Sequence, residues 1–123
     1  MMSLEMLGYY SDRPKSQRYP PGPSLLYPDR GNFIGFVSNL RSRKQLRELK
    51  RAFIASSDFP CESLAAPEWT IVVGLSDHSS FWKQGYPGLM VTDTADTLDF
   101  DRFVRVTEGL IGAVKRLAST LEP

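Results

Sequence analysis

The sequence has one cysteine, one histidine, almost no net charge and no long apolar run. Cys61 alone cannot form an internal disulfide, and no second cysteine gives it the spacing of a metal site. Fifteen basic and fourteen acidic residues give a net charge of +1, so no overall field favours nucleic acid, an anionic membrane or a polyanionic substrate. The longest apolar run, at 70–75, is far shorter than the roughly 20 residues of a membrane span. Nucleic acid and membrane are therefore not expected as partners.

What remains is enough for one domain over residues 1–123, since 41% of the residues are hydrophobic and the chain is short. The first ten residues carry Glu5 and no basic residue, which is not the pattern of a signal peptide. As it stands, the chain is expected in the cytoplasm.

Strand-like and helix-like segments alternate along the chain. Five prolines and two glycines predict an extended loop over 11–31. Short apolar segments predict strands at 3–10, 32–39, 61–66, 69–75 and 88–93, and helices are predicted from 42 to before Pro60, at 79–84 and at 98–118. This alternation predicts an α/β fold with a mixed, partly parallel sheet.

Side chains at the helix starts and along the helices sharpen these predictions. Ser42 and Gln45 have the spacing of a capping box, Ser76 or Asp77 can cap the second helix, and Asp99 can cap the last, with Asp101 in its first turn. The first helix has an apolar stripe of Leu46, Leu49, Phe53 and Ile54. The last helix has an apolar face made of Phe100, Phe103, Val104, Leu110, Ile111, Val114 and Leu117.

Polar residues follow three of the apolar segments, at 5–9, 76–78 and 92–95. In α/β sheets, ligands bind beyond the carboxyl ends of strands, so these residues are candidates for a site. Glu5 is the most informative of them, because a carboxylate inside an apolar strand is costly to bury unless a partner compensates it.

Other polar groups each have two interpretations. Adjacent residues such as Ser76, Asp77 and His78 diverge from the backbone and cannot form a hydrolase triad. Asp77 and His78 could serve a metal, or they could be a helix cap and a turn histidine. The acidic cluster of Asp93, Asp96, Asp99 and Asp101 could be caps and solvated faces or carboxylates beside a metal. The basic run at 41–51 could bind phosphate, but a solvated helix face is favoured because no aromatic side chains are interleaved.

Six stretches, in order over nearly the whole chain, resemble a known family. They are LEMLGYY at 4–10, GNFIGFVSNLRSR at 31–43, LAAPE at 64–68, SDHSSFW at 76–82, GYPGLMVTDTA at 85–95 and DTLDFDR at 96–102. Together they are similar to the co-catalytic two-zinc exopeptidases, which include bacterial leucyl aminopeptidases and, more distantly, glutaminyl cyclase.

The resemblance implies a three-layer α/β/α sandwich with two zinc ions at the strand ends, where a metal-activated water and a glutamate base attack a peptide carbonyl next to a free N-terminus. By position, Glu5 resembles a terminal zinc-ligand carboxylate. Asp77 and His78 resemble a turn beside the metal site that supports it without direct ligation.

The departures from the family are equally informative. The family's other ligands and its general base come from a segment that precedes LEMLGY and from a loop between the residues matched by Ala95 and Asp96. Of the metal ligands, this chain keeps Glu5, and no catalytic residue is assigned to it. One carboxylate cannot hold two zinc ions, so the chain resembles the carboxyl-terminal half of a peptidase and is expected to be inactive alone. Truncation, degeneration of the site and omission of residues from the sequence would each give this pattern.

Two functions are therefore expected. The first is a portion of a zinc aminopeptidase that acts on peptides when complete. The second is a non-catalytic α/β interaction or oligomerisation module, which would self-associate through an uncovered sheet edge or apolar face to form a homo-oligomer.

Overall fold

Residues 1–17, 27–70, 77–94 and 98–120 are described by a computed structural model. The strands are β1 (Met2–Glu5), β2 (Ile34–Asn39), β3 (Cys61–Ala66) and β4 (Leu89–Thr92). The helices are α1 (Arg43–Ile54), α2 (His78–Lys83) and α3 (Phe100–Ser119). These elements confirm the predicted α/β fold, and β3 coincides with its predicted range.

The four strands form one mixed sheet in the order β1-β4-β2-β3. β1 is parallel to β4 and β2 is parallel to β3, whereas β2 and β4 are antiparallel. The carboxyl ends of β1 and β4 therefore lie together at one end of the sheet, and those of β2 and β3 lie at the opposite end. The register places Glu5 level with Thr92, so the last residues of β1 and β4 are neighbours.

Helices cover both faces of this sheet. On one face, Phe36 and Val91 belong to the larger core cluster with residues of α1 and α3, and the Phe36 and Phe53 rings meet edge to face at 5.3 Å. On the other face, Val37 and Met90 pack against Trp82 of α2. Alternate strand residues thus supply two cores, and the helices form layers above and below the sheet.

α3 runs along β1 in the opposite direction. Near its start, Phe103 approaches the position that a Cβ at Gly8, just after β1, would occupy. Near its end, Leu117 and Thr120 line a cavity together with Met1 and Met2, at the start of β1. α1 contacts β2 and β3 instead, so the two helices divide this face of the sheet between them.

The predicted apolar face of α3 is largely wrong. The helix buries Val106, Gly109, Leu110 and Ala113, whereas Phe100, Phe103, Val104, Ile111 and Val114 are 40–70% exposed. α3 meets the end of α1 through its glycines: a Cβ at Gly109 would lie 2.7 Å from Phe53 Cε2. This close approach turns the glycine side of α3 toward α1 and leaves much of its apolar surface facing away. Ile54 of the predicted α1 stripe is also exposed.

The helix caps were predicted with mixed success. Asp99 caps α3 as expected, because its Oδ1 accepts a hydrogen bond from the Arg102 amide at 3.0 Å. Ser42 precedes α1 but makes no side-chain cap; its Oγ accepts the Gly88 amide at 3.3 Å, which ties α1 to the start of β4. The capping box with Gln45 is therefore wrong. Asp77 is helical itself and makes no cap either, while Gly85 ends α2 with a φ of 80°, a conformation that suits glycine.

Two predicted segments are only partly described. Of the 69–75 segment, residues 71–75 lie outside the described residues, and Trp69 is an exposed turn residue. The 11–31 loop is described apart from 18–26, and its ends meet where the Ser11 amide donates to the Gly31 carbonyl at 2.7 Å. Within the described chain, no helix is both long and apolar enough to cross a bilayer.

Candidate functional site

The candidate site lies where β1 and β4 end side by side. Glu5 is the last residue of β1, Thr92 is the last of β4, and Asp93 follows directly. Because β1 and β4 are parallel and end side by side, Glu5 and Asp93 lie at the same end of the sheet.

Glu5 is half-buried and shares its sheet face with Ser3 and Thr92. The buried Ser3 hydroxyl donates a hydrogen bond to Glu5 Oε1 at 2.7 Å. This hydrogen bond lowers the cost of placing an acid in an apolar strand. The Glu5 carboxylate has a hydroxyl partner and partial access to water. The carboxylate is thus held in a defined position at the strand end.

Asp93 is the second carboxylate of the site; the sequence indicated it within the candidate range 92–95 and as a member of an acidic cluster. Its Oδ2 accepts the Tyr9 amide at 2.7 Å. Burial raises the pKa of Asp93 to about 6, although hydrogen bonds from the Tyr9 and Gly8 amides favour the charged form. A carboxyl group that titrates near neutrality can accept or release a proton under physiological conditions. Its position directly after a buried strand was the available signal.

The rest of the acidic cluster has other roles. Asp99 caps α3, and Asp101 is an exposed residue of the first helical turn. Asp96 lies outside the described residues. The negative charges of Asp93 and Asp99 add to burial in raising the pKa of Tyr10 well above its usual range. Of the described members, Asp93 belongs to the candidate site, Asp99 caps α3 and Asp101 is exposed.

Tyr9 holds both ends of the junction that contains residues 95–97. On one side, the Thr94 amide donates to the Tyr9 carbonyl at 3.4 Å. On the other, Leu98 forms an isolated β-bridge with Tyr9, and the Asp99 amide donates to the Gly8 carbonyl at 2.7 Å. We call this arrangement of Gly8 and Tyr9 with Thr94, Leu98 and Asp99 the Tyr9 clasp. It fixes the two ends of the junction beside the candidate site.

Arg102 joins α3 to the proline-rich 11–31 loop near the same end of the sheet as the candidate site. Its guanidinium pairs with Asp12, and its Nε lies 3.3 Å from Asp99 Oδ2. Hydrogen bonds from Arg102 and then Asn32 hold the pKa of Asp12 below its usual value. The described part of the loop is thereby anchored next to the start of α3.

Asp77 and His78 lie elsewhere. The His78 ring is buried against Trp82, with ring centroids 4.5 Å apart, and its carbonyl oxygen would lie 2.9 Å from a Cβ at Gly88. Gly88 precedes β4, whereas Glu5 is level with the residue that ends it, about 13 Å further along the strand. Asp77 is exposed, and Ser76 lies outside the described residues. The structure therefore places His78 and Glu5 toward opposite ends of β4, and a supporting role for Asp77 and His78 stays a prediction.

The donor set of the described residues does not fit a two-zinc centre. Such a centre needs several carboxylate and histidine ligands per ion. Across the described ranges, no three His, Cys, Asp or Glu side chains are grouped so that they could hold a metal ion. Glu5 can supply one ligand, so any metal site here would need further ligands from another segment.

The basic run is distributed over α1 and its surroundings. Lys50 pairs with Glu62 at 3.5 Å, and Lys44 lies 4.0 Å from Glu48, while Arg43, Arg47 and Arg51 are exposed. This arrangement is typical of a solvated amphipathic helix.

The fold and the strand-end carboxylates define an α/β protein with a candidate site at the carboxyl ends of two parallel strands. The chain is 36% identical, over 126 residues, to the uncharacterized protein YfbL of Escherichia coli (strain K12). The match takes in 90% of this chain and 39% of that protein, so the chain spans about two fifths of the length of this relative. No protein-family model matches the chain, and no solved structure does.

The matched region is longer in the relative than in this chain. Ninety per cent of 123 residues is about 111, so about fifteen positions of the 126-residue match have no counterpart in this chain. The relative therefore has additional residues within the matched region.

Proposed function

We propose that this chain is a portion of a zinc-dependent aminopeptidase-type metallopeptidase, which removes N-terminal residues from peptides when complete. In this proposal Glu5 is one zinc-ligand carboxylate, and the chain alone is inactive. The observation that carries the proposal is the position of Glu5 at the carboxyl end of β1, half-buried, hydrogen-bonded to Ser3 and beside the end of β4.

The Tyr9 clasp supports the proposal in a second way. The family resemblance implies that a ligand-bearing loop stands between the residues matched by Ala95 and Asp96. Thr94 and Leu98 both contact Tyr9, so the chain ends that would carry such a loop lie close together next to the candidate site. The matched region of the relative has about fifteen residues more than this chain, a number that would suffice for such a loop.

The test is a chimaera in which this chain replaces the matched region of the E. coli relative and the unmatched positions of the relative are restored. The chimaera is expected to bind zinc, measured by elemental analysis, and to hydrolyse an aminoacyl p-nitroanilide. Glu5→Ala should lower the rate at least about 100-fold and reduce the zinc content, because one ligand is lost. Glu108→Ala, which removes an exposed carboxylate of α3, is the matched control and should change neither. A folded chimaera that binds no zinc and cleaves no substrate would refute the proposal.

The second candidate is a non-catalytic α/β interaction or oligomerisation module. The exposed apolar side chains of α3 favour it, since such a surface commonly marks a protein interface. A chimaera that folds and assembles but neither binds zinc nor hydrolyses peptides would support this function over the first.

A further inference from the structure

α3 carries two groups of exposed apolar side chains on one side, separated by Thr107. They are Phe100, Phe103, Val104, Ile111 and Val114, which we call the α3 stripe; each is at least 40% exposed. The spacing of these residues places them on one side of the helix, and the centre of that side is about one third of a turn from the centre of the buried residues. Isolated exposed apolar residues are ordinary, but five on one helix side form a patch.

The α3 stripe faces away from α1. Gly109 and Gly112 lie on the side of α3 away from the stripe, where added Cβ atoms would lie 2.7 Å from Ser57 and Ser56, just after α1. Since α1 covers β2 and β3 and α3 runs along β1, the stripe points beyond the outer edge of β1.

The described part of the sheet is open at that same edge. β1 is the first strand in the order, and no further strand in the described ranges pairs with its outer side. Leu4 is level with Val91, so its side chain lies on the core face that α1 and α3 cover, yet it is 52% exposed. Among the described residues, both the strand layer and the helix layer therefore end beside β1 with apolar side chains exposed.

We infer that the two layers continue past β1: the α3 stripe and the β1 edge bind a polypeptide equivalent to the part of the E. coli relative outside the match, through a strand paired with β1 and an apolar helix packed on α3. The length of the relative supports this occupant, because 61% of it must pack outside the matched region. A second copy of this chain fits less well. The stripe is centred near Thr107, so an antiparallel pair of α3 helices would bring the two exposed Glu108 carboxylates together near the axis. The inference requires no zinc and no peptidase activity.

The first test is co-expression of this chain with the unmatched part of the E. coli relative, tagged for purification. The chain should co-purify in a 1:1 complex, measured by light scattering after gel filtration. Val104→Asp and Ile111→Asp should each lower the recovered complex at least about tenfold, since each puts a charge into an apolar contact. Arg47→Asp introduces the same side chain on the exposed side of α1, which contacts β2 and β3, and should leave recovery within about twofold. Circular dichroism of the separate variants checks that they remain folded.

The second test uses the single-chain chimaera and does not depend on a soluble partner. With Cys61→Ser as background, cysteines are placed by Val104→Cys and, as a control, by Arg47→Cys on the exposed side of α1. Maleimide labelling at position 104 should be at least about tenfold slower in the chimaera than in this chain alone, while position 47 reacts equally in both.

Three outcomes would overturn the inference. They are absence of a complex together with equal labelling at position 104, a complex that both stripe variants leave intact, and a homodimer of this chain that Val104→Asp and Ile111→Asp abolish. A stripe-dependent complex that binds no zinc would support the inference while refuting the proposed peptidase, so the two can fail separately.

Discussion

At the scale of single residues, Asp93 shows how burial and hydrogen bonding oppose each other in one carboxyl group. Its folded pKa of about 6 lies above the ordinary value of 3.8, so the folded state binds the proton more tightly than the unfolded state does. The stabilisation from the protonated form is complete below pH 4 and is lost as the pH rises through 6.

Asp93→Asn removes this titration while keeping an oxygen for the Tyr9 amide. Between pH 4 and pH 7, the free energy of unfolding of the original chain should fall relative to that of the variant by about 1 kcal/mol, less than the full shift implies because the carboxyl is partly solvated. Urea unfolding of both proteins at the two pH values measures the change. A difference that stays constant with pH would show that Asp93 does not titrate in this range.

Gly109 offers a second test at this scale. An alanine Cβ there would lie 2.7 Å from Phe53 Cε2 and from Ser57 Cβ. Alanine is the better helix former by about 1 kcal/mol, but overpacking costs about 1–3 kcal/mol, so Gly109→Ala should destabilise the chain by about 1 kcal/mol. Glu108→Ala, one residue away and exposed, should change the stability by less than about 0.5 kcal/mol. Equal stabilities of Gly109→Ala and the original chain would mean that α1 and α3 can move apart without cost.

At the scale of elements, the sequence predicted which helices and strands exist better than it predicted which of their faces are buried. β2, β3 and β4 were found because short β-branched and apolar segments between turn residues have few other uses, and the Asp99 cap because its spacing to Arg102 is local. The buried face of α3 was not found, because a wide apolar arc does not reveal which part of it meets a neighbour. The capping box at Ser42 failed for a similar reason: its hydroxyl contacts Gly88, 46 residues away.

The candidate site was also predicted only in part. Glu5 could be singled out because an acid in an apolar segment is unusual. Asp93 fell within the candidate range 92–95, but its contact with Tyr9 could not be predicted, because it joins residues 84 positions apart. Asp77 and His78 are close in sequence to the start of β4, and folding places them at that end, away from Glu5.

The Tyr9 clasp predicts tolerance to insertion at the element scale. Fifteen Gly and Ser residues inserted between Ala95 and Asp96 should cost about 1.5 kcal/mol, because closing a longer loop on fixed ends costs only about 0.6 kcal/mol for each doubling of its length. The same insertion between Thr107 and Glu108 interrupts α3 and should unfold the chain. Denaturant unfolding of both variants provides the comparison, and a loss above about 4 kcal/mol at the 95–96 junction would contradict the clasp.

At the scale of the whole molecule, the protection of backbone amides from hydrogen exchange should decrease from the middle of the sheet toward β1. All six residues of β2 are buried and the strand has a neighbour on each side, whereas β1 has four residues and one described neighbour. In the chain alone, hydrogen exchange should be at least about 100-fold slower in β2 than in β1. In the chimaera with the E. coli relative, the β1 amides should slow toward those of β2. Equal exchange of β1 in both proteins would mean that nothing pairs with its outer edge.

The Tyr9 clasp also bears on how such a protein changes over generations. A deletion between Thr94 and Leu98 would remove a reactive loop while both flanks stay bound to Tyr9, so the remaining chain would still fold and escape the proteases that clear misfolded products. Loss of the chemistry that the loop supplied would then not by itself cause degradation of the protein. A gene copy altered in this way could persist as a stable protein and be recruited for binding, with its sheet intact.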